Sequence, residues 1–172
     1  MANLTALATA RHAHGVVDLP NARVYCSSET HSSIERALRV LGFPPESLCS
    51  LPIDGDSRLS PAALREAIEA DRAAGRNPFC VVATAGTTNT GAVDPLDAIA
   101  DVCAATKLWF HVDGAYGAPA MLVADTRPLF SGIERADSIS LDPHKWLFQP
   151  YEIGCLLVRD RALLRQAFTV FR

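Results

Sequence analysis

Residues able to do chemistry recur in this sequence at one kind of place, just past a short apolar run. His31 follows RVYC within SSETH, and Thr87 and Thr88 follow FCVVAT within AGTTNT. Asp113 ends WFHVD, and Lys145 follows SISL within DPHKW. A lysine attacks a carbonyl and forms a Schiff base once it can shed its proton, which burial and neighbouring cations favour. A carboxylate at the end of an apolar run is costly to bury unless it is paired. Two pairings are open for Asp113 on the residues alone. One is an Asp113–Lys145 ion pair fastening two strands together. The other is a cofactor that needs both groups. A carboxylate under a pyridine nitrogen keeps that nitrogen protonated and makes the ring an electron sink, while a lysine holds the carbonyl. Pyridoxal phosphate chemistry has both requirements.

Such residues meet only if the runs before them are parallel strands. Strands are predicted at residues 23–26, 48–53, 79–84, 108–113, 137–141 and 154–158. FCVVAT is a continuous apolar run of the kind buried on both faces. Helix signals lie between the strands. Ser32-Ser33-Ile34-Glu35 has the capping-box form and opens a helix to about Leu41. Ser60-Pro61 pairs an N-cap with proline at the first helical position, ahead of Leu64, Ala67 and Ile68, and Gly75 stops that helix. Asp94-Pro95 opens another, with Leu96, Ile99, Ala100 and Cys103 on one face. The alternation predicts an α/β fold, a mostly parallel sheet with helices on both faces. In such sheets ligands bind outside the carboxyl ends of the strands. His31, Thr88, Asp113 and Lys145 are therefore expected in one pocket.

The ends carry amphipathic helices as well. Residues 2–13 place Leu4, Leu7 and Ala8 on one stripe, and residues 162–172 place Leu163, Leu164, Ala167, Phe168 and Phe171 on another. Nothing precedes the first of these helices to cap it, and the last has no C-terminal glycine. The sequence therefore reads as a piece of a longer protein.

The 172 residues suit about one domain, and 49% hydrophobic with 20% charged residues is globular composition. Sixteen basic against nineteen acidic residues give a net charge of −3, without the excess that neutralises nucleic-acid phosphates. No apolar run is long enough to span a bilayer, and the N-terminus lacks the basic start of a secretory signal. Cys26, Cys49, Cys80, Cys103 and Cys155 contain no CxxC and read as small core residues in a reducing, cytoplasmic compartment. His12 and His14, two apart on a helix, point to different faces, so no metal site is expected. A nucleotide-binding dehydrogenase is disfavoured, because no GxGxxG follows the first strand and no GxxxxGK[ST] occurs.

Five segments in order, ANLTALATAR, YCSSETHSSIERA, ATAGTTNTGAVDP, HVDGAYG and DPHKWLFQPYEIGCLLV, resemble the pyridoxal-phosphate-dependent decarboxylases that include the aromatic-L-amino-acid and glutamate decarboxylases. The resemblance covers essentially the whole chain. It implies the core of the large domain of a fold-type I enzyme, with pyridoxal 5'-phosphate as cofactor and a homodimer as the complete protein. By motif, Lys145 resembles the lysine that holds the cofactor and Asp113 the partner of the ring nitrogen. His31 resembles the histidine stacked on the ring near the substrate, Ala115 the small residue on the opposite ring face, and Thr88 a cofactor contact. His144 is placed to touch the phosphate or relay a proton, and Ser140 is a further candidate near the loop. Lys145 and His31 are the expected catalytic pair.

The implied reaction is decarboxylation of an amino acid, with Trp146 leaning the choice toward aromatic substrates. Two alternatives stand beside it. One is another reaction on the same scaffold: a lyase, a desulfurase or an aldehyde-forming decarboxylation. The other is an inactive fragment that keeps only the fold. One departure from the family pattern is Asp142, where many relatives carry asparagine. A carboxylate there repels phosphate, so Asp142 is expected to turn to backbone donors or a neighbouring cation. The family's glycine-rich phosphate cup is expected just before Met1, and its mobile catalytic loop and small C-terminal domain after Arg172. Residues 1–172 alone, a partial large domain, are therefore expected to be inactive.

Overall fold

A computed structural model describes residues 1–170 of the chain. The strands are β1 (Ala22–Ser27), β2 (Leu48–Leu51), β3 (Asn77–Thr84), β4 (Trp109–Asp113), β5 (Ser138–Leu141) and β6 (Cys155–Val158). They form one six-stranded sheet in the order β2-β1-β3-β4-β5-β6, parallel throughout except for the antiparallel β5–β6 pair. The helices are α1 (Ala2–Ala13), α2 (Ser33–Val40), α3 (Pro61–Ala73), α4 (Leu96–Thr106) and α5 (Arg161–Phe168).

Alternate side chains of a strand point to opposite faces, so an apolar central strand feeds two cores. Val81 and Ala83 of β3 pack with Leu64 and Ile68 of α3 and Ile99 of α4. Cys80 and Val82 pack with Leu7 of α1 and with Ile34 and Leu38 of α2. Leu163 of α5 leans against this second core. Helices thus cover both faces, as expected.

The strand order also makes the crevice. From β1 the chain leaves through α2 on one face, reaches β2, and returns past β1 to β3 through α3 on the other. The connection after β3, through α4, lies on the α3 face. Neighbouring β1 and β3 therefore send their connections to opposite sides and part at their carboxyl ends, the place where such sheets take ligands.

Several local expectations are corrected. Strand β2 ends at Leu51, before Pro52, which has no N–H to give a ladder; Ile53 makes only an isolated bridge to Leu59. The capping box does not form. Ser32 is itself helical and its side chain makes no cap bond, while the neighbouring Ser33 hydroxyl is used elsewhere. Asp94 does not serve α4. It is buried, and its two oxygens accept the backbone N–H groups of Leu59 and Thr84, both at 2.7 Å, tying the β2–α3 loop to the end of β3. The β4–β5 connection, for which no helix is predicted, holds three short 3-10 turns. Helix α5 begins at Arg161, capped by Asp160, and ends at Phe168. The expected continuation to Arg172 is not made at Thr169, whose backbone is extended, and its last two residues, 171 and 172, lie outside the described residues. The buried stripe of α1 is Asn3, Ala6, Leu7, Thr9 and Ala10, so the expected apolar stripe contains polar members.

Candidate active site

The carboxyl ends of β1, β3, β4 and β5 open into a cavity of about 270 Å³, lined from those ends by His31, Thr88, Asp113, Ala115, Ser140 and Lys145. Six candidates proposed from the sequence thus converge on one place. Asp142 and Arg36 line the same cavity. The floor depends on a close backbone approach. Gly86 has φ +91°, and a Cβ there would lie 2.7 Å from Gly117 Cα, so two loops meet where only glycine fits.

Asp113 is 4% exposed and faces donors only. Its Oδ1 accepts from the Ala115 N–H at 3.1 Å and the Ser140 hydroxyl at 3.1 Å, and its Oδ2 accepts from the Asn3 amide at 2.9 Å. Three donors on a buried carboxylate compensate its lost hydration and suit its ionised form, which only accepts. The Asp113–Lys145 ion pair left open by the sequence is not formed. Lys145 Nζ instead meets Asp142 Oδ2 at 2.9 Å, the turn toward a cation expected of Asp142.

His144 is not brought into the cavity. Its Nδ1 lies 2.8 Å from Ile153 O and 3.2 Å from Ile153 N, and its ring meets Tyr151 edge-on at 4.9 Å. It closes the loop between β5 and β6. Trp146 contacts Tyr116 of the cavity wall edge-on, with ring centroids 5.5 Å apart.

Three participants were not found from the sequence. Asn3 bridges helix α1 to Asp113, to Ser33 and to His111. His111 is fully buried between Asn3 and Ser138, and burial pushes its pKa down to about 4, against an opposing pull from Asp113. The signal available for Asn3 was a polar residue at helical spacing from Leu7 and Ala10. The third is Thr84, which stands beside Asp113 in the strand register and lines the cavity. Its hydroxyl is buried with no partner among the described residues. Leaving such a group unpaired costs about 1–3 kcal/mol, which a polar ligand in the cavity would remove.

Chemically, the cavity offers a primary amine, a buried carboxylate, a hydroxyl without a partner among the described residues, and basic groups from His31 and Arg36. That set fits a flat, anionic, carbonyl-bearing heterocycle with a basic ring nitrogen.

Comparison with known proteins agrees with the geometry. The family described as "Pyridoxal-dependent decarboxylase conserved domain" matches residues 3–171. The chain is 52% identical over 168 residues to an aromatic-L-amino-acid decarboxylase of Bacillus atrophaeus, covering 98% of this chain and 35% of that one. The Oryza sativa TDC structure with PLP and tryptamine superposes with a TM-score of 0.93 at 41% identity, covering 99% of this chain and 37% of that one. The 4-hydroxyphenylacetaldehyde synthase of Rhodiola rosea superposes with a TM-score of 0.91 at 33% identity, covering 96% and 37%. The chain thus spans about a third of the length of these relatives.

Proposed function

The chain belongs to the pyridoxal-dependent decarboxylase family, and from that premise we propose that its protein removes carbon dioxide from aromatic L-amino acids, with pyridoxal 5'-phosphate carried by Lys145. The observation that carries this reading is the convergence of Lys145, Asp113 and His31 on one cavity beside the unpartnered Thr84 hydroxyl.

The residues divide the work. Lys145 would hold the cofactor covalently, and it attacks a carbonyl only as the free amine. Asp142, 2.9 Å away, is placed to accept a proton from it. Asp113, held by three donors, would hold a proton at the cofactor's ring nitrogen. Once bound, the cofactor supplies an electron sink for the pair released as carbon dioxide leaves. Thr84 and Thr88 offer hydroxyls to the cofactor. His31 and Ala115 line the cavity, where His31 would meet the substrate and the small Ala115 side chain would leave room for the cofactor. His144, its ring engaged by the loop, acts on the site only through that loop.

Borohydride reduction of the cofactor-loaded protein, followed by peptide mapping, tests the assignment. The pyridoxyl group is expected on Lys145, and finding it on Lys107, the other lysine, would overturn the reading. Carbon dioxide release from aromatic amino acids and from glutamate then tests the substrate class.

The likeness to the Rhodiola rosea synthase supports a second reading, in which the product is an aldehyde. Product analysis separates amine from aldehyde directly. We further propose that residues 1–172 form part of a cofactor-binding large domain, that the complete protein is a homodimer, and that it works in the cytoplasm. Exposed Leu129, Phe148, Tyr151 and Phe168 support the dimer, since apolar side chains in such number mark contact surfaces. Five free cysteines support a reducing compartment. No helix among the described residues is long and apolar enough to cross a membrane.

A further inference from the structure

Hydrogen bonds around Asn3 have one consistent direction. Its amide nitrogen donates both hydrogens, to Asp113 Oδ2 at 2.9 Å and to Ser33 Oγ at 2.9 Å. A carboxylate only accepts, so the amide cannot be turned the other way without placing Asn3 Oδ1 against Asp113. With the amide so oriented, Oδ1 faces His111 Nε2 at 3.1 Å, and that nitrogen must carry the proton. Burial keeps the His111 ring neutral near pH 7, so its Nδ1 is an acceptor, and it lies 2.9 Å from the Ser138 hydroxyl. Ser138 in turn accepts the Trp109 indole N–H at 2.9 Å. Every buried polar group in this row is satisfied by one arrangement.

The same logic runs outward from Asn3. Ser33 Oγ accepts from Asn3, leaving its own hydrogen for His31 Nδ1, 3.0 Å away. The backbone N–H of Ser33 also points at that nitrogen, at 3.3 Å. His31 Nδ1 therefore receives two donors and carries no proton itself, so the neutral ring is protonated at Nε2. No described residue occupies Nε2, and the ring lines the cavity.

We infer that Asn3 is a positioning residue whose amide, locked by Asp113, passes donor–acceptor polarity through Ser33 to His31, so that His31 offers an Nε2–H donor to whatever the cavity holds. The relay links the carboxylate on β4 to the histidine after β1 through helix α1, which touches neither reacting atom. Its use toward a cofactor or substrate rests on the proposed function; the tautomer itself rests only on the hydrogen bonds of this chain.

Ring-nitrogen NMR of the chain labelled with 15N-histidine tests the relay without cofactor, so its outcome is independent of whether the protein is a decarboxylase. In the wild type, His31 should report an unprotonated Nδ1 and a protonated Nε2. Ser33→Ala and Asn3→Ala should each shift the His31 tautomer ratio toward Nδ1–H by about fivefold, the effect of losing one hydrogen bond. Ser33→Thr, which keeps the hydroxyl, should leave the ratio unchanged. Should Asn3→Ala fail to fold, the two Ser33 variants decide the matter, since Ser33 is only half-buried. A folded Ser33→Ala protein whose His31 stays fully Nε2-protonated would overturn the inference, and so would a wild type with the proton on Nδ1.

Discussion

Lys145 Nζ lies 2.9 Å from Asp142 Oδ2, its neighbour three residues back in the same turn, while the three donors on Asp113 come from Asn3, Ala115 and Ser140. The lysine and the buried carboxylate are therefore held by separate partners while lining one cavity. This separates their roles experimentally.

Lys145→Ala should abolish the covalent pyridoxyl adduct and leave folding almost untouched. The side chains of the ion pair are 34% and 23% exposed, and a pair of that kind contributes at most about 1 kcal/mol. Urea unfolding of the cofactor-free protein is the check. A loss several times larger would make Lys145 a structural residue.

Asp113→Asn should act on both rate and stability. Decarboxylation by the complete enzyme should fall at least about 100-fold, or roughly 2.7 kcal/mol in the barrier, because the charge proposed to hold a proton at the ring nitrogen is gone. An asparagine also brings two N–H donors to a place already filled with donors. Stability should fall by about 1–3 kcal/mol as one of them goes unpaired. A fully active variant would remove Asp113 from the chemistry.

Thr84→Val should separate binding from stability. The wild-type hydroxyl is buried and has no partner among the described residues, so the variant without cofactor should be at least as stable as the wild type. Affinity for pyridoxal phosphate should fall about fivefold or more if the hydroxyl bonds to the cofactor. Thermal melts of the free protein and a cofactor titration give the two readings. Unchanged affinity would leave Thr84 a mere packing residue.

His111 should make the fold acid-sensitive. Its pKa is about 4 when folded, below its ordinary value of 6.5, so between these values the unfolded chain binds the extra proton. Its stabilising effect is present in full above about pH 6.5 and is lost as the pH falls through about 4, to the extent of about 3 kcal/mol. Urea midpoints measured from pH 7 down to pH 4 should drop for the wild type. They should drop less for His111→Gln, whose stability is lower at neutral pH but does not depend on this proton. Parallel curves for the two proteins would remove His111 as the cause.

The order of strands and helices, and the placing of His31, Thr88, Asp113 and Lys145 on one edge of the sheet, were readable from the residues in chain order. The reason is that the signals are local. An apolar run of four to eight residues, a proline at a helix start and a glycine at its end act within one turn or one strand. Once the strands are parallel, everything that follows a strand falls on the same edge.

Partner choice was not readable, because it is settled by which rotamers face each other after packing. Asp142 and Asp113 are both carboxylates near a strand end, yet only the first meets Lys145. His144 adjoins the lysine in sequence but turns to Ile153, nine residues on. Asn3 lies 110 residues from Asp113 and 108 from His111, and no local pattern connects them. Only the docking of α1 over β4 brings the amide between the two side chains. There, with water excluded, each donor must find an acceptor, and that requirement selects the arrangement. The sequence by itself determined that His31, Thr88, Asp113 and Lys145 reach one cavity, because each follows a parallel strand. The tertiary structure added Asn3 and Thr84, turned His144 away, and decided which groups are already engaged and which are left for a ligand, because only packing settles partners.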